Sequence, residues 1–390
     1  MRVGLITWDY PPQPTGLGRA AGEIAAGLRA EGAEVTVFTL DRGGEEIAEG
    51  IGLIGCAVSE RSALGVLRPR MAAGHLAVPW RIKRLVAANG PFDVVETTNW
   101  YAPGGLVAGS AALVVRNSTP AIEARDPNAS LRDRIDLAFA HRFEASTARR
   151  ADGLISNAPH HKQAIERWYG LGGKEHHAVI PLSLSAEWLE RGRQARAPFE
   201  GDVPTVLFIG RAEKRKGFRE LVEGFALLRR DMQARLVLAG LSDREFDEGT
   251  SGLGLPQEVR SSIDVRGRVG DEELLRLFEE ADLIAAPSRY ESYGLVYREA
   301  AAFGRPLLAC AEDPSALDLI GQHPIGVLAE RCRGQELAEA LAMLLTDKDQ
   351  ARLMGRAGLK MAEGLSRERL GAETLKVYEE ALRRKRGGGR

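Results

Sequence analysis

The chain has 390 residues, 44% of them hydrophobic and 27% charged, with a formal net charge of −1. That length exceeds one ordinary domain and suits two, the composition excludes extended disorder, and the near-neutral charge gives no bulk attraction to nucleic acid. Its three cysteines, Cys56, Cys310 and Cys332, form no CxxC pair, which suggests neither a zinc knuckle nor a disulfide framework and suits a reducing compartment.

The first predicted strand covers residues 3–8. It meets Trp8-Asp9 too soon to be a signal peptide. No apolar stretch approaches the roughly 20 residues that span a bilayer, so a cytoplasmic protein is expected. The strand runs into Tyr10-Pro11-Pro12-Gln13-Pro14-Thr15-Gly16-Leu17-Gly18-Arg19 and a helix over 19–31, with Ala21, Ile24, Ala25 and Leu28 on its apolar face. Without a Cβ at Gly16 and Gly18, backbone amides at a helix start can approach a phosphate or sugar hydroxyl. A glycine turn that only permits close strand–helix packing is the alternative. A strand over 35–39 ends in Leu40-Asp41, an acidic position that leaves a dinucleotide site open.

Residues 67–86 mix Arg68, Arg70, Arg81, Lys83 and Arg84 with Leu67, Val78, Trp80 and Ile82. Two readings stand: a basic amphipathic surface in peripheral contact with the inner face of an anionic membrane, or a core-packing helix with a solvated basic face. Strands at 93–98, 113–116 and 153–156 follow, with a basic helix over 131–150. His160-His161 and His176-His177 are adjacent pairs. They lack the i,i+4 spacing of a metal site on one helix face and read as loop or boundary residues.

Residues 181–204 form the expected domain boundary. Beyond it come strands at 205–209, 235–239, 263–266, 283–287, 306–310 and 326–329, and a long helix over about 367–386. Most strands are apolar at consecutive positions, as in a parallel sheet covered on both faces. The fold expected is α/β with two doubly wound Rossmann-like domains, residues 1–185 and 186–390. The last helix is expected to pack back on the first domain, ahead of a frayed basic tail at 383–390.

Two stretches of the second half carry chemistry. Gly210-Arg211 and Lys216-Gly217 lie between a strand end and a helix start, where open α/β sheets bind ligands. Arg211 offers a fork of donors and Lys216 a mobile charge, suited to two phosphates. The second stretch reads Pro287-Ser288-Arg289-Tyr290-Glu291-Ser292-Tyr293-Gly294-Leu295-Val296-Tyr297-Arg298-Glu299-Ala300. It places Glu291 on a loop and Glu299 inside the following helix. Amides at Gly294 and Leu295 suit an anion, and carboxylates accept from sugar hydroxyls. The alternatives are a solvated charge run, a helix-start charge and a surface glutamate. The apolar neighbours of Glu299 argue against the last, because an unpaired buried carboxylate is costly.

These motifs resemble family 4 of the glycosyltransferases, with the GT-B fold, over nearly the whole chain. The resemblance rests on Glu-x7-Glu at Glu291 and Glu299, on Gly210-Arg211 with Lys216-Gly217, on the Gly16/Gly18 loop, and on Val265-Arg266-Gly267-Arg268-Val269 before an acidic helix. It implies two domains facing across a cleft: an acceptor-binding first domain and a donor-binding second. It implies retaining, metal-independent transfer from a nucleotide diphosphate-sugar, UDP- or GDP-linked, to a sugar, lipid-linked or small-molecule acceptor, in polysaccharide, lipid-linked glycan or glycoconjugate synthesis. No cofactor beyond that co-substrate is implied. Arg211 and Lys216 would bind the diphosphate with help from the Gly294 and Leu295 amides. Glu299 would bind ribose and Glu291 the donor sugar, and Tyr293 would be among the donor-binding residues. Arg268 and Val269 would lie near the base, and Gly16 and Gly18 would face the donor or acceptor.

The chain departs from the family in three places. Arg116-Asn117 stands where a histidine is usual, which makes Asn117 the candidate there. Leu182-Ser183-Leu184-Ser185 replaces Asn-Gly-Val-Asp. Asp313-Pro314-Ser315-Ala316 replaces a Gly-Gly turn, with Asp318 beyond. The competing readings are a non-catalytic nucleotide-sugar-binding protein, a sugar epimerase of the same fold, and an NAD enzyme resting on the glycine loop.

Overall fold

The first sheet contains β1 (Arg2–Thr7), β2 (Glu34–Thr39), β3 (Gly43–Ala48), β4 (Ile51–Cys56), β5 (Val94–Thr98), β6 (Ala112–Arg116), β7 (Gly153–Ser156) and β8 (His177–Val179), ordered β3-β4-β2-β1-β5-β6-β7-β8. It belongs to one of two contact units of a computed structural model, which describes the chain apart from residues 14, 49, 58–70, 108, 110, 125–129, 173–175 and 388–390. That unit is Met1–Ser183 with Arg367–Arg390; the other is Leu184–Ser366.

Every pairing in the first sheet is parallel except β3 with β4. β5, β6 and β7 are buried along their whole length, as their unbroken apolar runs require. The β3–β4 hairpin was not expected. β3 reads Gly-Gly-Glu-Glu-Ile-Ala and is largely exposed, with low intrinsic strand preference. β4 carries two glycines, and one of them makes the pairing possible: a Cβ on Gly55 would lie 2.5 Å from the Gly43 backbone.

Helix Met71–Asn89 turns Val78, Ile82 and Val86 into a core with Phe38 and Phe92. It leaves Trp80 exposed beneath the Arg84 guanidinium, 5.0 Å from the ring centre. The lower part of the basic stretch, residues 67–70, lies outside the described residues. No helix among the described residues is long and apolar enough to cross a membrane.

The terminal helix Arg367–Gly387 packs in the first unit against helix Gly16–Ala30. A Cβ on Gly371 would run into the Gly27 carbonyl, so the two helices meet backbone to backbone. A buried ion pair fastens it further. Arg116 bonds Glu96 through Nε at 2.8 Å and through Nη2 at 3.1 Å. Thr374 accepts from Arg116 at 2.9 Å, and Tyr378 donates to Glu96 at 2.8 Å. Arg116 therefore serves the sheet and the last helix.

His160 and His161 are not loop residues; they form the first turn of helix Pro159–Tyr169. His161 is fully buried, and burial pushes its ring down to about 4 from 6.5. A depressed histidine favours folding above its unfolded value and loses that contribution as pH falls toward its folded one. The unfolding free energy from urea titrations is expected to fall between pH 6.5 and about 4 by on the order of 3 kcal/mol, and His161→Phe should flatten that limb. An unchanged pH slope in the variant would refute the assignment.

The second sheet contains β9 (Thr205–Ile209), β10 (Arg235–Ala239), β11 (Ile263–Val265), β12 (Leu283–Ala285), β13 (Leu307–Cys310) and β14 (Gly326–Ala329), all parallel, ordered β11-β10-β9-β12-β13-β14. Phe208, Leu221, Phe225 and Leu337 fill one face. On the other, Trp188, Phe278 and Phe303 meet with ring centres 5.2 to 5.5 Å apart. Both units are thus doubly wound α/β folds. The strand order reverses between β1 and β5 in the first and between β9 and β12 in the second, and ligands of such sheets sit beyond the strand C-termini at those points.

Candidate functional site

In the second unit the loops leaving β9 and β12 converge at that reversal. β9 runs out through Gly210 into a turn over Lys214–Lys216, and Gly217 at φ 70° opens helix Phe218–Leu228. A Cβ on Gly217 would strike the Pro287 carbonyl and the Cys332 sulfur, so glycine lets the two loops touch. Gly240, at φ 102°, is as constrained, because a Cβ there would fall 2.7 Å from the Gly210 carbonyl. The Gly267 carbonyl closes the same edge by accepting from the Gly240 amide at 2.6 Å.

At this junction Lys216 Nζ lies 2.5 Å from Glu291 Oε1, with both side chains mostly buried. Ser288 Oγ donates to the same oxygen at 2.8 Å, and Arg215 approaches it at 3.4 Å. The carboxylate thus gathers one hydroxyl and two cations. Arg211 does not join them: it is largely exposed and pairs with Glu213 at 2.6 Å. The structure therefore brings Lys216 and Glu291 together and holds Arg211 at the rim.

Gly294, at φ 67°, is the left-handed cap of helix Leu295–Ala302. A Cβ there would collide with the Tyr297 ring. Glu299 is buried within that helix, as are Tyr297 and Arg298. Arg298, not anticipated, bonds the Tyr293 and Gly294 carbonyls and lies 3.8 Å over the buried Tyr293 ring. Tyr293 therefore faces Arg298 inside the fold. Arg268 is exposed beyond β11, while Val269 is partly buried against the core.

Asp313 organises this helix start. Its Oδ1 accepts from the Glu291 amide at 2.8 Å and the Ser315 amide at 3.1 Å, and its Oδ2 accepts from the Tyr297 hydroxyl at 2.6 Å. It is fully buried, and burial pushes its carboxyl up to about 6. In the sequence it stood out only as a departure. Asp before Pro at a helix start is a cap signature, and Asp313 does cap helix Pro314–Gln322. Asp313→Ala takes the acceptor from two buried donors and one half-buried one and is expected to cost about 3 kcal/mol; Asp313→Asn, which can still accept and donate, should cost far less. Equal urea midpoints for the two variants would contradict this role.

In the first unit Gly16 and Gly18 do not form a loop; they open helix Gly16–Ala30. The Gly18 amide is taken by the capping Thr15 Oγ1 at 2.9 Å. Asn117 is buried, and its side-chain amide donates to the Ile155 carbonyl at 3.0 Å.

Two families match this chain: "Glycosyl transferase 4-like domain" over residues 15–183 and "Glycosyl transferases group 1" over residues 192–361. A glycogen synthase of Mycobacterium tuberculosis is 26% identical over 99% of this chain and 96% of its own length. A D-inositol 3-phosphate glycosyltransferase of Nocardia farcinica is 30% identical over 60% of this chain and 53% of its own. Among solved structures, sucrose-phosphate synthase from Thermosynechococcus elongatus superposes with a TM-score of 0.75 at 21% identity, covering 97% of this chain and 98% of its own. An Anabaena protein in complex with UDP and glucose gives 0.68 at 19% identity, covering 96% and 99%.

Proposed function

The chain belongs to family 4 of the glycosyltransferases, with the GT-B fold, and on that premise we propose that it moves a sugar from a UDP- or GDP-linked donor to an acceptor hydroxyl with retention of configuration. No metal takes part in this reading. The acceptor is a sugar, a lipid-linked glycan or a small molecule, in polysaccharide, lipid-linked glycan or glycoconjugate synthesis. The observation that carries this reading is the Lys216–Glu291 contact where the sheet order reverses.

A diphosphate entering there competes with Glu291 for the Lys216 ammonium. Once released, the Glu291 carboxylate accepts from hydroxyls of the donor sugar. As the bond from the sugar C1 to the phosphate oxygen breaks, negative charge grows on the departing diphosphate. Lys216 stabilises that charge, together with Arg211 swung in from the rim and the amides at Gly294 and Leu295. The acceptor oxygen bonds C1 on the face the diphosphate leaves, and the acceptor proton passes to the leaving phosphate oxygen. Glu299 accepts from ribose, with Arg268 and Val269 beside the base.

In the first unit Gly16 keeps a place at a helix start that suits a polar ligand. Gly18 and Asn117, with their amides engaged, act through the backbone and the packing. Any contact with an anionic membrane runs through exposed Trp80, Lys83 and Arg84.

Nucleoside diphosphate release from UDP-, GDP- and ADP-sugars in the presence of EDTA, with the product's anomeric proton read by NMR, tests this reading. Release without metal and the donor's configuration in the product are expected; an inverted product or an absolute metal requirement would overturn it.

A further inference from the structure

The carboxyl ends of β1 and β5, where the first sheet reverses, carry a cluster that the donor site leaves unexplained. Trp8 follows β1, and Trp100 and Tyr101 follow β5. Their rings lie 5.9 to 6.3 Å apart, centre to centre. Trp100 is 39% exposed, and Trp8 and Tyr101 are half-buried. The polar heads of the two indoles are satisfied within the cluster. Trp8 Nε1 donates to the Trp100 carbonyl at 2.7 Å, and the Trp100 indole donates to the Tyr101 hydroxyl. The rings are inclined to one another, Trp8 by 49° to Trp100 and 75° to Tyr101, and Trp100 by 34° to Tyr101, so Trp100, the most exposed of the three, carries most of the accessible ring surface.

The backbone below is strained to present these rings. Tyr101 and Ala102 hold φ of 54° and 43°, a region costly to non-glycine residues and concentrated at functional sites. A buried scaffold enforces it. The Tyr101 amide donates to Glu144 at 2.8 Å, Tyr169 donates to the same carboxylate at 2.8 Å, and Asn99 donates to the Tyr169 hydroxyl at 2.9 Å. Glycine at position 101 would make this turn without strain. A tyrosine held there implies a use for the side chain, and the carboxyl end of the reversal point is where such sheets take ligands.

We propose that the Trp100 ring, buttressed by Trp8 and Tyr101, is a platform on which a pyranose ring of the acceptor stacks. A pyranose presents C–H bonds on its flat face and hydroxyls around its edge. The positive C–H hydrogens meet the negative aromatic face, and the edge hydroxyls find Asp9, two residues beyond β1, and the Thr98 and Ser118 hydroxyls, which lie 3.2 Å apart at and just beyond the ends of β5 and β6. Stacking fixes the ring plane without reading each hydroxyl, so the platform accepts several neutral hexoses. The proposal rests on the transferase reading above, and its first test, glycoside binding, needs neither donor nor turnover.

Saturation-transfer NMR on the full chain with methyl gluco-, manno- and galactopyranosides is the experiment. Transfer to the ring C–H protons is expected, abolished in Trp100→Ala and largely kept in Trp100→Phe. Thermal stabilisation by nucleoside diphosphates should be the same in all three proteins, which separates this proposal from the donor site and shows that the variants are folded. In turnover, Trp100→Ala should raise the acceptor KM about tenfold and leave the donor KM unchanged. Three results would overturn the proposal: no transfer with any of the glycosides, equal transfer in Trp100→Ala, or Trp100-dependent transfer confined to the base protons of uridine, guanosine or adenosine.

Discussion

Lys216→Ala is expected to lower kcat/KM by about two to three orders of magnitude, the usual effect of deleting one preorganised group at a site of developing negative charge. The argument runs from position. Lys216 ends the turn after β9, is mostly buried, and points its ammonium at Glu291 from 2.5 Å. A cation held in a partly desolvated place is worth more to a diphosphate than one in water. Its preorganisation rests on Gly217, which admits the β12 loop beside it. Arg211, exposed and paired with Glu213, is expected to matter less, and Lys216→Arg should recover part of the loss. Steady-state kinetics on the three variants orders them. A larger loss at Arg211 than at Lys216 would mean that the exposed guanidinium carries the diphosphate.

Arg116→Met should destabilise the first unit by roughly 3–5 kcal/mol, the cost of leaving one partner of a buried ion pair uncompensated. Glu96 would then sit almost wholly buried with only the Tyr378 hydroxyl for company among the partners described above. Because Thr374 and Tyr378 both come from the terminal helix, the variant should also expose that helix to proteolysis at low protease concentration. The double variant Arg116→Met with Glu96→Gln should regain much of the loss, since a missing pair costs less than a broken one. Urea midpoints measure both effects. A neutral single variant would show that the pair is dispensable.

The legible parts of the sequence were those fixed by local chemistry. Unbroken apolar runs such as Leu113-Val114-Val115 identify buried parallel strands because both faces must be covered. The Glu291–Glu299 segment showed its loop-to-helix change through Gly294, and the helix begins one residue later. The β3–β4 hairpin was not legible, because glycines and glutamates suppress the strand pattern while long-range pairing supplies the stability.

Arg116 shows a deeper limit. Alignment with a family position suggested a group near the reaction centre, but the side chain turns to Glu96 and the terminal helix, which joins the sheet from more than 250 positions away, as the separation of Arg116 and Thr374 shows. Gly18 and Asp313 make the same point in opposite directions. One looked like a ligand contact and gives its amide to a cap; the other looked like a lost turn and holds Glu291 in place. Which amides and carboxylates are already engaged is a property of the folded neighbourhood.

Melting curves with UDP, GDP and ADP in EDTA, for the wild type and Lys216→Ala, test the central claim most directly, because a ligand that binds only the native state raises Tm by mass action. One of the three nucleotides is expected to raise the wild-type Tm by several degrees and the Lys216→Ala Tm little or not at all. No shift with any of them, or equal shifts in the two proteins, would contradict the assignment of the β9–β12 junction as the donor site.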